Sequence, residues 1–381
     1  MYPASTEPGA LEQLHGLETA AALANESGGV NGREVKIDSE DATHDTAVQA
    51  AVDNLVRRGA SVIFGTYDSA LALVASAEAS QDGVTFMETG GLADTITRRG
   101  LRGVLRSGQS GSTLGAYAVE FAHDFVVPTL RLSLRQARIV VIFADDPYGS
   151  SVAYGAVTEA AALGMNIVDT IKYVPSTTDY YYTLASELQA DHPDVVISGQ
   201  YLADAAGLRE AMTVRGMKLG ALIGASSTYS SLAYPETVGS GALGVFAVDG
   251  PDQGMGRAGL LPGASRLLDQ AIATYRAGYH TAMSSSAIEG FVGGWIMFHD
   301  ILPHAMTASR DDVISAADSL DLPSGSEVNG SGVKFAPQGK ANAGDNTMAD
   351  AVVWQWRTTA MRYIVYPPAF AQTRPNALQM T

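Results

Sequence analysis

Ser69 stands where a short apolar stretch, Ser61-Val-Ile-Phe-Gly65, gives way to a helical pattern over about 69–82. At such a junction the hydroxyl and the next backbone amides face outward, and the helix end carries roughly half a positive charge. That suits a ligand carboxylate or amide oxygen; the same serine also suits a plain helix cap, worth about 1 kcal/mol. Glu88 closes the next apolar stretch, and the glycines of Thr89-Gly90-Gly91 behind it admit a close approach to backbone. Groups for catalysis do not assemble in the same way. The chain has no cysteine, which removes thiolate nucleophiles, disulfides and Cys-held metals. It has no Gly-x-Ser-x-Gly elbow, no His-Glu-x-x-His helix and no Walker loop. The seven histidines are scattered, and His299 and His304 are five apart, off a common helix face. Gly239-Ser-Gly-Ala-Leu-Gly244 fits a dinucleotide pattern but precedes an apolar strand instead of following one. Asp145-Asp146 reads as a loop capping the next helix in preference to an acid–base pair. No enzyme activity, cofactor or metal is expected.

The elements that would position these residues alternate. Helical periodicity over 10–27, from Leu11, Leu14, Leu17, Ala21 and Ala24, ends at Gly28-Gly29. A strand is expected over 34–39, then helix 45–58, strand 61–65, helix 69–82 and strand 84–88. The run 138–144 is the clearest buried strand; helix 150–163, strand 165–170, helix 180–191, strand 194–198, helix 203–215 and strand 220–224 follow. This alternation is the mark of βαβ units and parallel sheets. After about 248 the pattern changes to a Gly-rich loop (250–263), helices 264–277 and 284–302, a short helix, and hairpin-like segments near 333–335 and 352–356. The amino-terminal residues lie where the end of a first strand is expected. Candidate crossings between two lobes lie at 122–137, around 248–252 and around 325–335, which predicts lobes of 1–122 with 252–328 and 123–251 with 329–381.

At 381 residues the chain exceeds what one core usually supports. Its 46% hydrophobic and 17% charged residues exclude general disorder, and no apolar run reaches eighteen residues. A net charge of −16 opposes nucleic-acid binding, which needs clustered Lys and Arg. The one basic cluster, Arg98, Arg99, Arg102 and Arg106, is expected to be a solvated face.

An ordered set of segments closely resembles the type I periplasmic binding proteins, the receptors for branched-chain amino acids, amides and urea. The set runs Asn25-Glu-Ser-Gly-Gly-Val-Asn-Gly-Arg33, Asp38-Ser-Glu-Asp41, Phe64-Gly-Thr-Tyr-Asp-Ser69, Phe86-Met-Glu-Thr-Gly-Gly91, Asp145-Asp-Pro-Tyr-Gly149, Pro193-Asp-Val-Val196 and Gly332-Val-Lys-Phe335. The resemblance implies a two-lobe α/β Venus-flytrap fold. Each lobe would be a mostly parallel sheet with flanking helices, and a three-segment hinge would let the lobes close on ligand. It implies a monomeric solute-binding protein, periplasmic or extracellular and potentially lipid-anchored, that hands a small polar ligand to an ABC transporter permease. No signal segment is visible before Tyr2-Pro3. The alternative implied by the same module is a cytoplasmic amide or amino-acid sensor acting on a partner protein.

Residue by residue, Ser69 matches a ligand-binding serine of that family, and Tyr67 an aromatic position of the amide receptors. Glu88, Gly90 and Gly91 fall in a loop through which members contact ligand. Tyr148 and Tyr201 match tyrosines that close over ligand, a role suited to a rigid ring with one hydroxyl. Two departures stand out. Leu92 replaces a ligand-binding threonine, and Gly224-Ala-Ser226-Ser227 falls where amino-acid receptors keep a glutamate for the α-ammonium group. With Ser226 at that position, the resemblance implies either a ligand that is no α-amino acid or a charge supplied by Glu88. The Tyr180–Tyr182 run is expected to start a helix and pack on its own lobe.

Overall fold

A computed structural model describes residues 1–175 and 180–376. The chain divides into two compact units, Met1–Ser110 with Gly250–Asp350, and Gly111–Asp249 with the chain from Ala351 on. In chain order, unit 1 begins with α1 (Pro8–Glu26), α2 (Asp45–Arg57), β1 (Val62–Gly65), α3 (Ser69–Gln81), β2 (Thr85–Glu88) and β3 (Val104–Arg106). Unit 2 follows with α4 (Gly111–Phe121), which runs on as a π-helical turn to α5 (Val127–Leu130). Next come β4 (Arg138–Ala144), α6 (Pro147–Leu163), β5 (Asn166–Tyr173), α7 (Tyr181–Ala190), β6 (Val195–Gly199), α8 (Leu202–Val214) and β7 (Ala221–Ala225). Short helices α9 (Ser227–Ser230) and α10 (Ala233–Val238) lead to β8 (Phe246–Asp249). Unit 1 resumes with α11 (Pro262–Tyr279), α12 (Ser285–Trp295) and α13 (Arg310–Asp318), and unit 2 ends with β9 (Val352–Trp356) and β10 (Arg362–Tyr366).

In unit 1 the sheet is parallel, in the order β1-β2-β3. Its core combines Val48, Val52 and Leu55 of α2 with Ile63, Phe86 and Val104, all at most 3% exposed. Helix α1 lies directly on α12: a Cβ on Gly16 would stand 1.9 Å from the Ala287 carbonyl oxygen, and one on Gly290 would stand 2.0 Å from that of Gln13. In unit 2 the order is β10-β9-β8-β7-β6-β4-β5, with β4 to β8 parallel and the last two strands antiparallel. Helices α4 and α6 repeat the glycine device. A Cβ on Gly115 would meet the Val152 oxygen at 2.0 Å, and one on Gly155 that of Ser112 at 2.0 Å.

Several expectations are corrected. The units exchange the chain at 110/111, 249/250 and 350/351, not at 122/123, 251/252 and 328/329. Of the segment 122–137, read as a crossing, residues 122–130 continue helix α4, which packs on α6; residues 344–346 belong to unit 1 because Arg106 hydrogen-bonds Gly344 and Asn346 through its backbone. No strand forms over 34–39 or 333–335; the second region makes only isolated bridges, Leu322 to Val333 and Phe335 to Asn346. Helix 284–302 ends its α-helical part at Trp295 and continues as a π-helix. Of the basic cluster, Arg106 is not solvated: it is 1% exposed and donates to the carbonyls of Leu92 and Ala93. Asp146 caps α6 through the Gly149 amide (2.8 Å), and Asp145 pairs with Lys172 at 3.1 Å. The carboxyl-terminal segment expected as part of a lobe to 381 extends past the described residues.

Candidate functional site

Parallel strands deliver their carboxyl ends to one edge of a sheet, where loops carry ligand-binding side chains. In unit 1 that edge holds Thr66–Ser69 after β1 and Glu88–Ala93 after β2. Glu88 is fully buried, and its carboxylate accepts the backbone N–H groups of Thr66 (2.9 Å), Thr89 (3.0 Å), Gly90 (2.9 Å) and Gly91 (2.6 Å). Burial pushes its carboxyl up to about 7, against the pull of the Gly91 and Gly90 amides and of Arg106. Glu88 is therefore the hub of its own loop and is not presented to solvent. The amides of Gly90 and Gly91 are taken up by it as well. Their lack of side chains serves packing: a Cβ on Gly90 would meet Gln13 Nε2 at 2.1 Å, and one on Gly91 would meet Glu88 and Ile96 at 3.0 Å.

Ser69 is the first residue of α3, but the cap is Asp68, whose Oδ1 accepts Ala70 N (2.8 Å) and Leu71 N (3.0 Å). Those helix-end amides, expected to face a ligand, are already occupied by a carboxylate. Ser69 Oγ accepts Leu92 N (3.1 Å) and Ala93 N (3.0 Å), which leaves its own proton to donate. Ser69→Ala is expected to lower stability by about 1–3 kcal/mol, because the Leu92 and Ala93 amides lose their acceptor; denaturant unfolding checks this. Tyr67 adopts a left-handed backbone (φ 84°), and its ring covers Gly9, where a Cβ would come within 2.6 Å of the phenol oxygen.

In unit 2 the same strand edge gathers Tyr148, Tyr201 and Ser226. Tyr148 is 5% exposed; its hydroxyl lies 3.1 Å from the Ala225 carbonyl and 2.9 Å from Ser226 Oγ. Ser226 has φ 69°, a conformation that costs a non-glycine residue about 1–3 kcal/mol. It is held by its N–H to Val248 O (2.8 Å) and by Tyr148. Tyr201 precedes α8, is 38% exposed, and sets its ring 5.6 Å from that of Tyr148 at 55°.

The family model for periplasmic binding proteins matches residues 3–355. The chain belongs to that family. The Leu/Ile/Val-binding protein homolog 8 of Brucella abortus (strain 2308) is 29% identical over 364 residues, covering 93% of this chain and 87% of that protein. Homolog 7 of Brucella suis is 27% identical over 363 residues, 94% and 88% of the two chains. Among solved structures, a putative branched-chain amino acid ABC transporter protein from Silicibacter pomeroyi superposes with a TM-score of 0.75 at 15% identity, over 98% of this chain and 96% of that one. A substrate-binding protein from Desulfitobacterium hafniense in complex with Leu gives 0.73 at 19% identity, over 93% and 95%. This periplasmic binding protein thus has the type I α/β architecture and the non-enzymatic solute-binding role of its family in ABC transport. The family places it outside the cytoplasm, and no helix among the described residues is long and apolar enough to cross a membrane.

The unit 2 edge of this binding protein also holds polar groups that sequence reasoning passed over. Asp204, 2% exposed, accepts the hydroxyls of Tyr173 (3.2 Å) and Tyr181 (2.8 Å). Burial and Asp204 together raise both phenols, Tyr181 to about 12. Ser198, Gln200 and Tyr229 share hydrogen bonds of 2.7–3.1 Å beside them. Tyr173 and Gln200 end or follow β5 and β6, and that strand-end position is the signal by which sequence reasoning could have found them. Tyr181 packs its ring on Gly207 of α8, as the tyrosine run suggested.

Proposed function

We propose that this protein captures a small polar solute and delivers it to the permease of an ABC transporter. Its solute class is amides, urea-like molecules or carboxylates ahead of α-amino acids. The observation that carries the class is the fate of the two positions where an ammonium partner was expected: Ser226 is neutral and bonded to Tyr148, and Glu88 is buried beneath four backbone amides. In unit 2, Tyr148, Tyr201 and Ser226 are the proposed contacts, offering ring faces and hydroxyls; in unit 1 they are the Ser69 hydroxyl and Tyr67. The second reading is a branched-chain amino acid, favoured by the names of the relatives and by the leucine complex of a structural neighbour.

A thermal-shift screen over leucine, isoleucine, aliphatic amides, ureas and aromatic acids separates the two. A ligand at a hundredfold its Kd adds about 2.7 kcal/mol of stability. Stabilisation by leucine but by no amide, urea or acid would overturn the class while leaving solute binding intact. Tyr201→Ala is expected to weaken the identified solute by about 1–3 kcal/mol, roughly tenfold to a hundredfold in Kd by calorimetry. Its ring is over one-third exposed and caps no helix through its side chain, so the fold should persist. Unchanged affinity would remove Tyr201 from the site. Loss of solute uptake on deleting the gene, restored only by a binding-competent copy, tests delivery.

A further inference from the structure

The sequence holds two Asn-Gly pairs, Asn31-Gly32 and Asn329-Gly330, both in unit 1. Glycine leaves its own backbone nitrogen unshielded by a side chain. That nitrogen can attack the preceding side-chain amide carbon once it gives up its proton to solvent. The reaction needs a free side-chain amide, an N–H open to water, and a backbone able to turn one upon the other. The fold supplies these at one pair and withholds them at the other.

Asn31 and Gly32 are the exposed centre of a turn closed by Val30 and Arg33, with Val30 N donating to Arg33 O (2.9 Å) and Arg33 N to Val30 O (3.0 Å). Their φ angles, 50° and 76°, are both positive, as in the two-residue turns that favour Asn-Gly. Neither the Asn31 side chain nor the Gly32 N–H has a hydrogen-bond partner among the described residues. The space beside Gly32 is open: a Cβ there would meet nothing within 4 Å. Rotation at Asn31 therefore opposes only the two hydrogen bonds of the turn. The chain beyond the turn stays fixed, because Asn25 bonds both backbone groups of Val35, N at 2.7 Å and O at 2.9 Å.

Asn329 is the opposite case. It is 4% exposed, and its Oδ1 accepts Ser331 N at 3.1 Å. The Gly330 N–H, which would have to react, donates to Glu327 O at 2.9 Å, and Gly330 O accepts Gly325 N at 2.7 Å. Reaction there requires the turn over 325–331 to open.

We propose that Asn31 is a self-modification site. Gly32 N attacks Asn31 Cγ; the N–Cγ bond forms, the Cγ–Nδ2 bond breaks, and ammonia leaves with the proton that Gly32 N gives up through solvent. Water then adds to either carbonyl carbon of the resulting succinimide ring, leaving aspartate or isoaspartate at position 31. No oxidant or cofactor is consumed. The product carries one more negative charge close to Arg33, and the isoaspartate form lengthens the backbone of the turn by one carbon. The inference stands apart from the solute reading.

The test ages the full folded chain at mildly alkaline pH beside a sample unfolded in guanidinium chloride. Mass spectrometry follows the tryptic peptides 1–33 and 311–334, with fragmentation locating the change from amide to acid. In the unfolded sample both pairs are expected to convert at similar rates, because only local sequence then acts. In the folded chain Asn31 is expected to convert about tenfold or more faster than Asn329, whose reaction waits on local opening. Isoelectric focusing should show one acidic step, and Asn31→Gln, whose side chain would have to close a larger ring, should remove it. Equal rates at the two pairs in the folded chain, or an unmodified Asn31 while the unfolded sample converts, would overturn the proposal. An acidic step that persists in Asn31→Gln would place the modification elsewhere and overturn it equally.

Discussion

Glu88→Ala is expected to destabilise the protein by about 3–5 kcal/mol, because four buried backbone N–H groups lose one shared acceptor. The same carboxylate sets a pH dependence. The unfolded carboxyl titrates at 4.5, whereas burial moves the folded one to about 7. Between those values the folded state holds more protons than the unfolded state, so stability falls as pH rises. The contribution is complete below pH 4.5 and lost above 7, an amplitude of about 3 kcal/mol. Glu88→Gln keeps an acceptor but does not titrate, so its unfolding free energy should be flatter over that window. Denaturant unfolding of the parent and both variants between pH 4.5 and 8 checks it. If the parent instead gained stability relative to Gln with rising pH, the four N–H donors would outweigh burial.

Gly16→Ala should cost about 3 kcal/mol, and Gly155→Ala about the same in the other unit. At 1.9–2.0 Å from a facing carbonyl oxygen the added carbon overlaps backbone, which cannot rotate aside as a flexible side chain can. The intrinsic preference of alanine over glycine in a helix, about 1 kcal/mol, opposes the loss and is the control. Gly278→Ala lies near the end of α11 with open space around it, so it should be neutral or slightly stabilising. Thermal unfolding of the three variants distinguishes close helix approach from propensity; equal behaviour of all three would refute the packing account.

Local sequence determined most of the elements and the kind of protein. The 3.6-residue period of 10–27 and the buried run 138–144 each carry their own signal, so they appear within a residue or two as Pro8–Glu26 and Arg138–Ala144. The order of strands and helices, the lack of catalytic constellations and the family segments led to a two-unit α/β binding protein, which the family match supports. The resemblance also singled out Tyr148, Tyr201 and Ser226, which come together at one strand edge of unit 2. What the sequence could not decide is which polar groups remain available once the chain has folded. Ser69 stands at a helix start, but only the tertiary structure shows that Asp68 takes the helix-end amides and that Ser69 holds residues 92 and 93. Glu88 reads as a loop acid; only the convergence of Thr66 from β1 with Thr89, Gly90 and Gly91 makes it a buried hub. Residues 34–40 have a strand's composition, yet pairing is non-local, and a strand exists only where a partner backbone lies about 5 Å away. Hydrogen-bond satisfaction is a property of neighbours in space, and that is why the site needed the fold.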